Sequence, residues 1–222
     1  MIRRSISYLL LLWLCPTYSL ALTNSNTTEA ALYFQVNNID LDFAGDIRKS
    51  RFSSLDLMIR EQLSADIDGA LWLGYLETTQ DTNPILAGQD MGGEYVGIDF
   101  RFHHIQTPRY QLHTRFFYRY ANTEDTVNNQ TVKWEWHQVS LGLHNRLQVG
   151  NTTALTVGLS GIAIDGREKA EGTLNQRLSF DADVPYQADL GLEFRLDHTG
   201  DIGIELHFGS LRGGQLTFKR QF

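Results

Sequence analysis

The stretch Tyr186-Gln-Ala-Asp-Leu-Gly-Leu-Glu-Phe-Arg-Leu196 decides the fold class. Side chains alternate with period two along a β-strand. Tyr186, Ala188, Leu190, Leu192, Phe194 and Leu196 therefore share one face, and Gln187, Asp189, Gly191, Glu193 and Arg195 share the other. The same pattern recurs in Val96–His104, where Val96, Ile98, Phe100 and Phe102 oppose Gly97, Asp99, Arg101 and His103. It recurs again in Tyr110–Tyr120, in Ile202–Gly209, in Leu55–Arg60 and in Leu155–Ser160. The longer patterns persist for about nine to thirteen residues, whereas an average soluble strand has about five or six. A strand that crosses a bilayer on a tilt needs about 9–11 residues.

Turn signals come in two sizes. Short ones lie at Ser64-Ala-Asp66, Gln106-Thr-Pro-Arg109, Val149-Gly-Asn151 and Asp197-His-Thr-Gly200. Longer polar segments lie at about 44–51, 79–93, 122–131 and 166–180, with a tighter one at Leu211-Arg-Gly-Gly214. The two sets alternate along the chain. They predict one all-β domain over residues 30–222, a closed antiparallel up-and-down transmembrane β-barrel of about ten strands, with eight or twelve as alternatives. Within 132–148 the apolar phase changes between Trp134-Glu-Trp136 and Val139-Ser-Leu-Gly-Leu143, which predicts a β-bulge.

Composition narrows the function classes. The 222 residues carry 19 Lys and Arg against 26 Asp and Glu, a net charge of −7. That balance disfavours nucleic acid as a partner, since neutralising phosphates takes a surplus of basic residues. A single cysteine excludes a disulfide scaffold and a Cys-based zinc site. Hydrophobic residues at 42% and aromatics at 11% argue against disorder. Residues 1–21 read as a secretory signal peptide: Arg3-Arg4, the apolar run Tyr8–Cys15, then small residues at Ser19 and Ala21. Residues 22–29 form a short segment before the barrel, and the chain is expected to be exported.

On the signal peptide, the hairpins over about 30–222 and the terminal Phe222, the sequence resembles the bacterial outer-membrane β-barrel proteins. The resemblance implies residence in the outer membrane, contact with its lipid, and a last strand read by the barrel-assembly machinery, with Phe218 and Phe222 as the signal. Arg220 departs from the pattern, standing where an apolar residue is usual; near the interface an outward Arg costs only about 0–1 kcal/mol. Phe116, Tyr118, Tyr120, Trp134 and Trp136 flank the 122–131 segment, where an interfacial aromatic girdle is expected. Trp72, Tyr75 and Tyr95 flank 79–93 in the same way.

With the apolar rows facing lipid, charges of both signs turn inward. Asp56, Arg60, Asp99, Arg101, Arg115 and Arg119 come from the first half, and Arg146, Asp189, Glu193, Arg195, Glu205 and Lys219 from the second. Buried charges must be paired, so a side-chain-filled lumen is expected in place of an open channel. His103, His113 and His144 lie on three consecutive strands with the same phase, as a candidate pH-sensitive or metal-binding cluster. No His-x-Ser pair, P-loop or zinc-protease motif occurs, and no cofactor is implied. His137 and Ser140, three residues apart, fall on opposite faces unless the bulge intervenes. The resulting expectation is a structural or surface-interaction barrel. A narrow pore and a lipid-modifying enzyme are the alternatives.

Overall fold

In the computed structural model, residues 28–80 and 90–222 are described. The expected signal peptide, most of the 22–29 segment and the middle of the 79–93 segment lie outside the described residues. The strands are β1 (Thr28–Phe43), β2 (Asp46–Ser64), β3 (Ile67–Thr79), β4 (Asp90–Gln106), β5 (Tyr110–Val127) and β6 (Gln130–Gln148). They continue with β7 (Thr153–Glu171), β8 (Gln176–Ala182), β9 (Tyr186–Arg195), β10 (Gly200–Gly209) and β11 (Leu211–Gln221). All pairings are antiparallel, and β11 returns to β1 from Glu29–Gln221 to Ile39–Leu211, so the sheet closes. The lower wall is a ring of ten strands, as expected.

The eleventh strand arises from a break. β8 and β9 are two pieces of one descending strand, interrupted around Pro185, whose carbonyl accepts from Ile162 N at 2.8 Å. The lower part of β7 pairs with β9 and its upper part with β8. β8 then pairs with the top of β1 at Leu41–Ala182 and Asp42–Asp181. The short hairpin β10–β11 ends below this level. The barrel therefore has ten strands in its lower storey and eight in its upper one.

The short turns lie where the sequence places them, at the lower end. In the last of them, Asp197 Oδ1 accepts from Thr199 N and Gly200 N, both at 2.7 Å. Those backbone donors hold its carboxyl below the usual carboxylate range. The upper connections differ from expectation. β1 and β2 are joined by two residues, Ala44 and Gly45, both at positive φ, and β5 and β6 by Asn128 and Asn129, also at positive φ. Such primed two-residue turns suit the twist of a hairpin. The polar stretches 44–51, 122–131 and 166–180 are thus mostly strand. β6 and β7 have 19 residues each, about 60 Å of strand at ~3.3 Å per residue. Tilted by about 40°, that far exceeds the ~25 Å apolar band of an outer-membrane barrel.

Towards the upper end the two faces of the wall exchange character. On β1 the outward residues pass from Leu32, Phe34 and Val36 to Asn38, Asp40 and Asp42, while the inward ones pass from Gln35 and Asn37 to Ile39, Leu41 and Phe43. On β7, Leu155, Val157 and Leu159 give way outside to Asp165, Arg167 and Lys169, and Ser160 gives way inside to Ile162 and Ile164. The same exchange explains 132–148. Pairing of β6 with both neighbours is continuous from Thr131 to Leu147, so no bulge is present. The side-chain phase is constant, and it is the apolar residues that change face. The observed irregularities lie instead at Gln62/Ser64 and His103/Ile105.

Four expected girdle residues are corrected accordingly. Trp134 and Trp136, 0% and 1% exposed, fill the upper interior. Trp72 and Tyr95 are also buried inside. The rings of Phe43, Trp134 and Phe180 pack at a tilt within 5.0–5.7 Å of one another, and Phe52 lies 5.5 Å from Trp136. Gly166 faces this cluster because a Cβ there would strike the Phe180 ring. Trp134 Nε1 donates to Glu168 Oε2 at 2.9 Å, and the Arg48 guanidinium lies 4.5 Å over Phe43. Phe116, Tyr118 and Tyr120 do face outward, with Tyr75, and Tyr118 Oη lies 2.8 Å from His137 Nδ1. Eight strands leave an interior just wide enough for side chains to fill, and here the filling is a hydrophobic core.

Trp134→Ala is expected to destabilise the folded barrel by about 3–5 kcal/mol, the usual cost of emptying a large aromatic site. The midpoint of guanidinium unfolding in detergent would measure it. An unchanged midpoint would mean that the upper storey is not packed as a core.

Candidate functional site

Below the aromatic core the wider ring keeps a polar cavity of about 180 Å³. In three of its hydrogen-bonded rows the residue between two large inward side chains is small. Arg60 and Asp99 meet across Ala70, Asp56 and Tyr95 across Gly74, and His144 and Asp189 approach across Gly158. A Cβ at Gly74 would sit 2.5 Å from Asp56 Oδ1, and one at Gly158 3.0 Å from Asp189 Oδ2. The small residues make room for the pairs.

Two carboxylates organise the charges. Asp99 Oδ2 accepts from Arg60 Nη2 at 3.2 Å and from Arg115 Nε at 2.8 Å, and Arg60 Nη1 reaches on to Glu29 at 2.9 Å. Glu193 holds Arg146 Nε at 2.7 Å and Lys219 Nζ. Asp56 is held by neutral donors, Gln35 at 2.5 Å and Ser54 at 3.1 Å. Arg101 lines the cavity, and Arg119 stacks 5.4 Å over Tyr95. Arg195 is the exception in the expected network: half exposed at the lower rim, it faces Asp201 at 3.6 Å. Glu29 belongs to the network but escaped the sequence reading, which placed it ahead of the barrel.

The three expected histidines do come together. His103, His113 and His144 occupy one row of β4, β5 and β6, with successive ring centroids 5.6 Å apart. His103 Nε2 lies 2.8 Å from Asp68. The row continues past Gly158 to Asp189 and His207, whose Nδ1 lies 2.8 Å from Asp189 Oδ1. His207 was missed because its membership depends on which residue faces it across β9. The same-face spacings Gln187-x-Asp189 and Glu205-x-His207 were the available signal.

A serine also enters. Ser160 Oγ lies 3.3 Å from His144 Nε2, with Asp189 beyond His144. The chemistry of acyl transfer further needs donors for an oxyanion, and at this level β7 is paired on both edges. Outward, the wall presents Leu143 and Leu159, so the pair faces the lumen and not the bilayer. His137 faces outward and Ser140 inward, as the spacing implies. Phe218 and Phe222 lie at the outer surface of β11 and its end, and Arg220 faces outward at the lower rim, where it pairs with Ala30.

Asp99→Asn leaves Arg60 and Arg115 without their shared counter-charge and is expected to cost about 3–5 kcal/mol. Arg195→Gln at the rim should change stability by less than about 0.5 kcal/mol. Comparing the two unfolding midpoints tests whether Asp99 is the hub; equal midpoints would refute it.

No protein-family model matches the chain, and no curated protein matches it. Solved structures do. The outer membrane protease OmpT from Escherichia coli superposes with a TM-score of 0.54 at 9% identity, over 93% of this chain and 100% of that one. The translocator domain of the autotransporter NalP from Neisseria meningitidis gives 0.55 at 11% identity, over 90% of each. At such identities the likeness concerns fold alone. With the lipid-facing belt, the closed ring and the paired lumen, it shows that the chain has the fold of a bacterial outer-membrane β-barrel.

Proposed function

We propose that this protein is a non-conducting surface barrel, anchored by its ten-stranded lower storey and presenting its eight-stranded upper storey outside the cell for interaction. The observation that carries this reading is the inversion. A polar exterior around an apolar, aromatic-filled interior is built to stand in water, and the same filling obstructs the lumen above the polar cavity. A narrow pore would need that aromatic core to move aside. A lipid-modifying enzyme would need its Ser160–His144 pair on the other side of the wall.

The outer face of β6–β8 supports the interaction role. Lys133, Lys169 and Arg177 stand directly opposite one another across three strands, and Arg167 lies beside them. Like charges in such a row disfavour the sheet. Glu135 pairs with Lys133 at 2.7 Å and Glu171 with Lys169 at 2.5 Å. Arg167 and Arg177 have no ion pair within 4 Å among the described residues. Arg167, Lys169 and Arg177 lie within 166–180, one of the two long polar segments, with 79–93, from which contact with the surroundings is expected. An acidic row, Asp42–Asp181–Asp165, runs below it. The basic row suits a partner with repeated negative groups, such as a sulfated or phosphorylated polysaccharide, in a chain that is otherwise acidic.

Purified protein in planar bilayers is expected to give no discrete conductance steps; regular ohmic openings would overturn the non-conducting reading. Cells displaying the protein should retain a sulfated polysaccharide at low salt and release it as salt rises, since exposed charges are screened beyond ~8–10 Å at physiological ionic strength. Lys133→Glu with Arg177→Glu should weaken retention at least tenfold. Equal retention by the double variant would remove the basic row from the proposal.

A further inference from the structure

We propose that Asp189, Glu205 and His207, with His144 at the edge, form a binding site for one divalent transition-metal ion in the lumen. The residues belong to three strands. His207 faces Asp189 across β9–β10, Glu205 lies two residues before His207 on the same face, and His144 approaches Asp189 over Gly158. One ligand atom from each of Asp189, Glu205 and His207 lies within 4.8 Å of the others. His207 Nδ1 is 2.8 Å from Asp189 Oδ1 and 3.8 Å from Glu205 Oε1. Ligands about 2.0–2.1 Å from a tetrahedral zinc stand roughly 3.4 Å apart, so small side-chain adjustments admit an ion between them. His207 then offers Nδ1 as a neutral imidazole with its proton on Nε2.

Charge argues for a cation here. Glu29, Asp99 and Glu193 each hold an Arg or Lys. Asp189 and Glu205 have no Lys or Arg within 4 Å among the described residues; their partners are His207 and the amides of Gln187 and Gln215. Two inward carboxylates are thus left with a single imidazole between them, and a divalent ion supplies the missing charge. The amides are placed as outer partners that orient the carboxylates. Imidazole with carboxylate oxygen selects zinc, cobalt, iron or manganese over softer thiolate-seeking ions.

Access and position fit the assignment. Asp189, Glu205, His207 and His144 all line the lumen cavity. The row His103–His113–His144 leads to the site from the lower mouth, and the Nδ1 atoms of His103 and His113 are buried without a hydrogen-bond partner. The ion would tie β9 to β10 just under the level where the ring drops from ten strands to eight. The surface role proposed above does not depend on this site.

The test uses the full barrel without a histidine tag, folded in detergent, confirmed by a heat-dependent gel shift and stripped with chelator. Cobalt(II) titration should give visible d–d absorption saturating at one equivalent, displaced by zinc. Glu205→Gln and His207→Ala should each weaken cobalt binding at least tenfold, and His103→Ala should leave it within about twofold. If His207→Ala does not fold, His207→Gln and the Glu205 variant carry the comparison. No saturable binding overturns the proposal. So does binding that survives the Glu205 and His207 variants, or that is lost in His103→Ala, because the ion would then sit elsewhere.

Discussion

The pairing of β1 with β11 over eleven residue pairs is the contact on which the rest depends. A bilayer offers no hydrogen-bond partner to a strand edge, so every strand in it needs two neighbours. Closure by β11 satisfies the last edge and defines an inside. Once an inside exists, the period-two alternation of each strand assigns every residue to lipid or lumen. The terminal strand therefore completes the hydrogen bonding and fixes the chemistry of the cavity in one step.

A second closure, through two residue pairs between β8 and β1, makes the upper storey. It lets the chain end its β10–β11 hairpin early and continue upward as eight strands. The change in strand number changes the interior. Ten strands enclose a cavity that polar side chains and charges can line, whereas eight enclose only enough room for side chains to pack. The apolar residues change face with the storey: outside around the lower ring, inside in the upper one. Trp134 and Trp136 are the clearest case, since they share one strand with the outward Val139, Leu141 and Leu143 without any irregularity in pairing.

The lumen shows how charged residues become tolerable in a closed wall. Long side chains meet over small ones, so Arg60 reaches Asp99 across Ala70 and both remain hydrogen-bonded while buried. Breaking such a pair is costly because the remaining charge stays buried. Glycine and alanine on the inward face therefore have a spatial role: at Gly74, Gly158 and Gly166 the missing side chain is the space its neighbours occupy. The network gains definition from the rows and loses the freedom to open.

The sequence by itself determined the barrel, the lower turns, the ring of ten and the inward placement of nearly all the lumen charges. Each of these follows from local alternation, which survives whatever the strands pair with. It also brought His103, His113 and His144 to one level, because each lies within five residues of a short lower turn, at Gln106–Arg109 or Val149–Asn151. It misread the long polar segments as loops and Trp134 and Trp136 as girdle, since polarity along a strand reports the surrounding medium and not the end of the strand. Only the tertiary structure decided where the apolar outer belt ends, that the upper storey has eight strands, and that Asp189, Glu205 and His207 converge. Those depend on the break between β8 and β9 and on cross-strand register, which join residues that no local pattern places side by side.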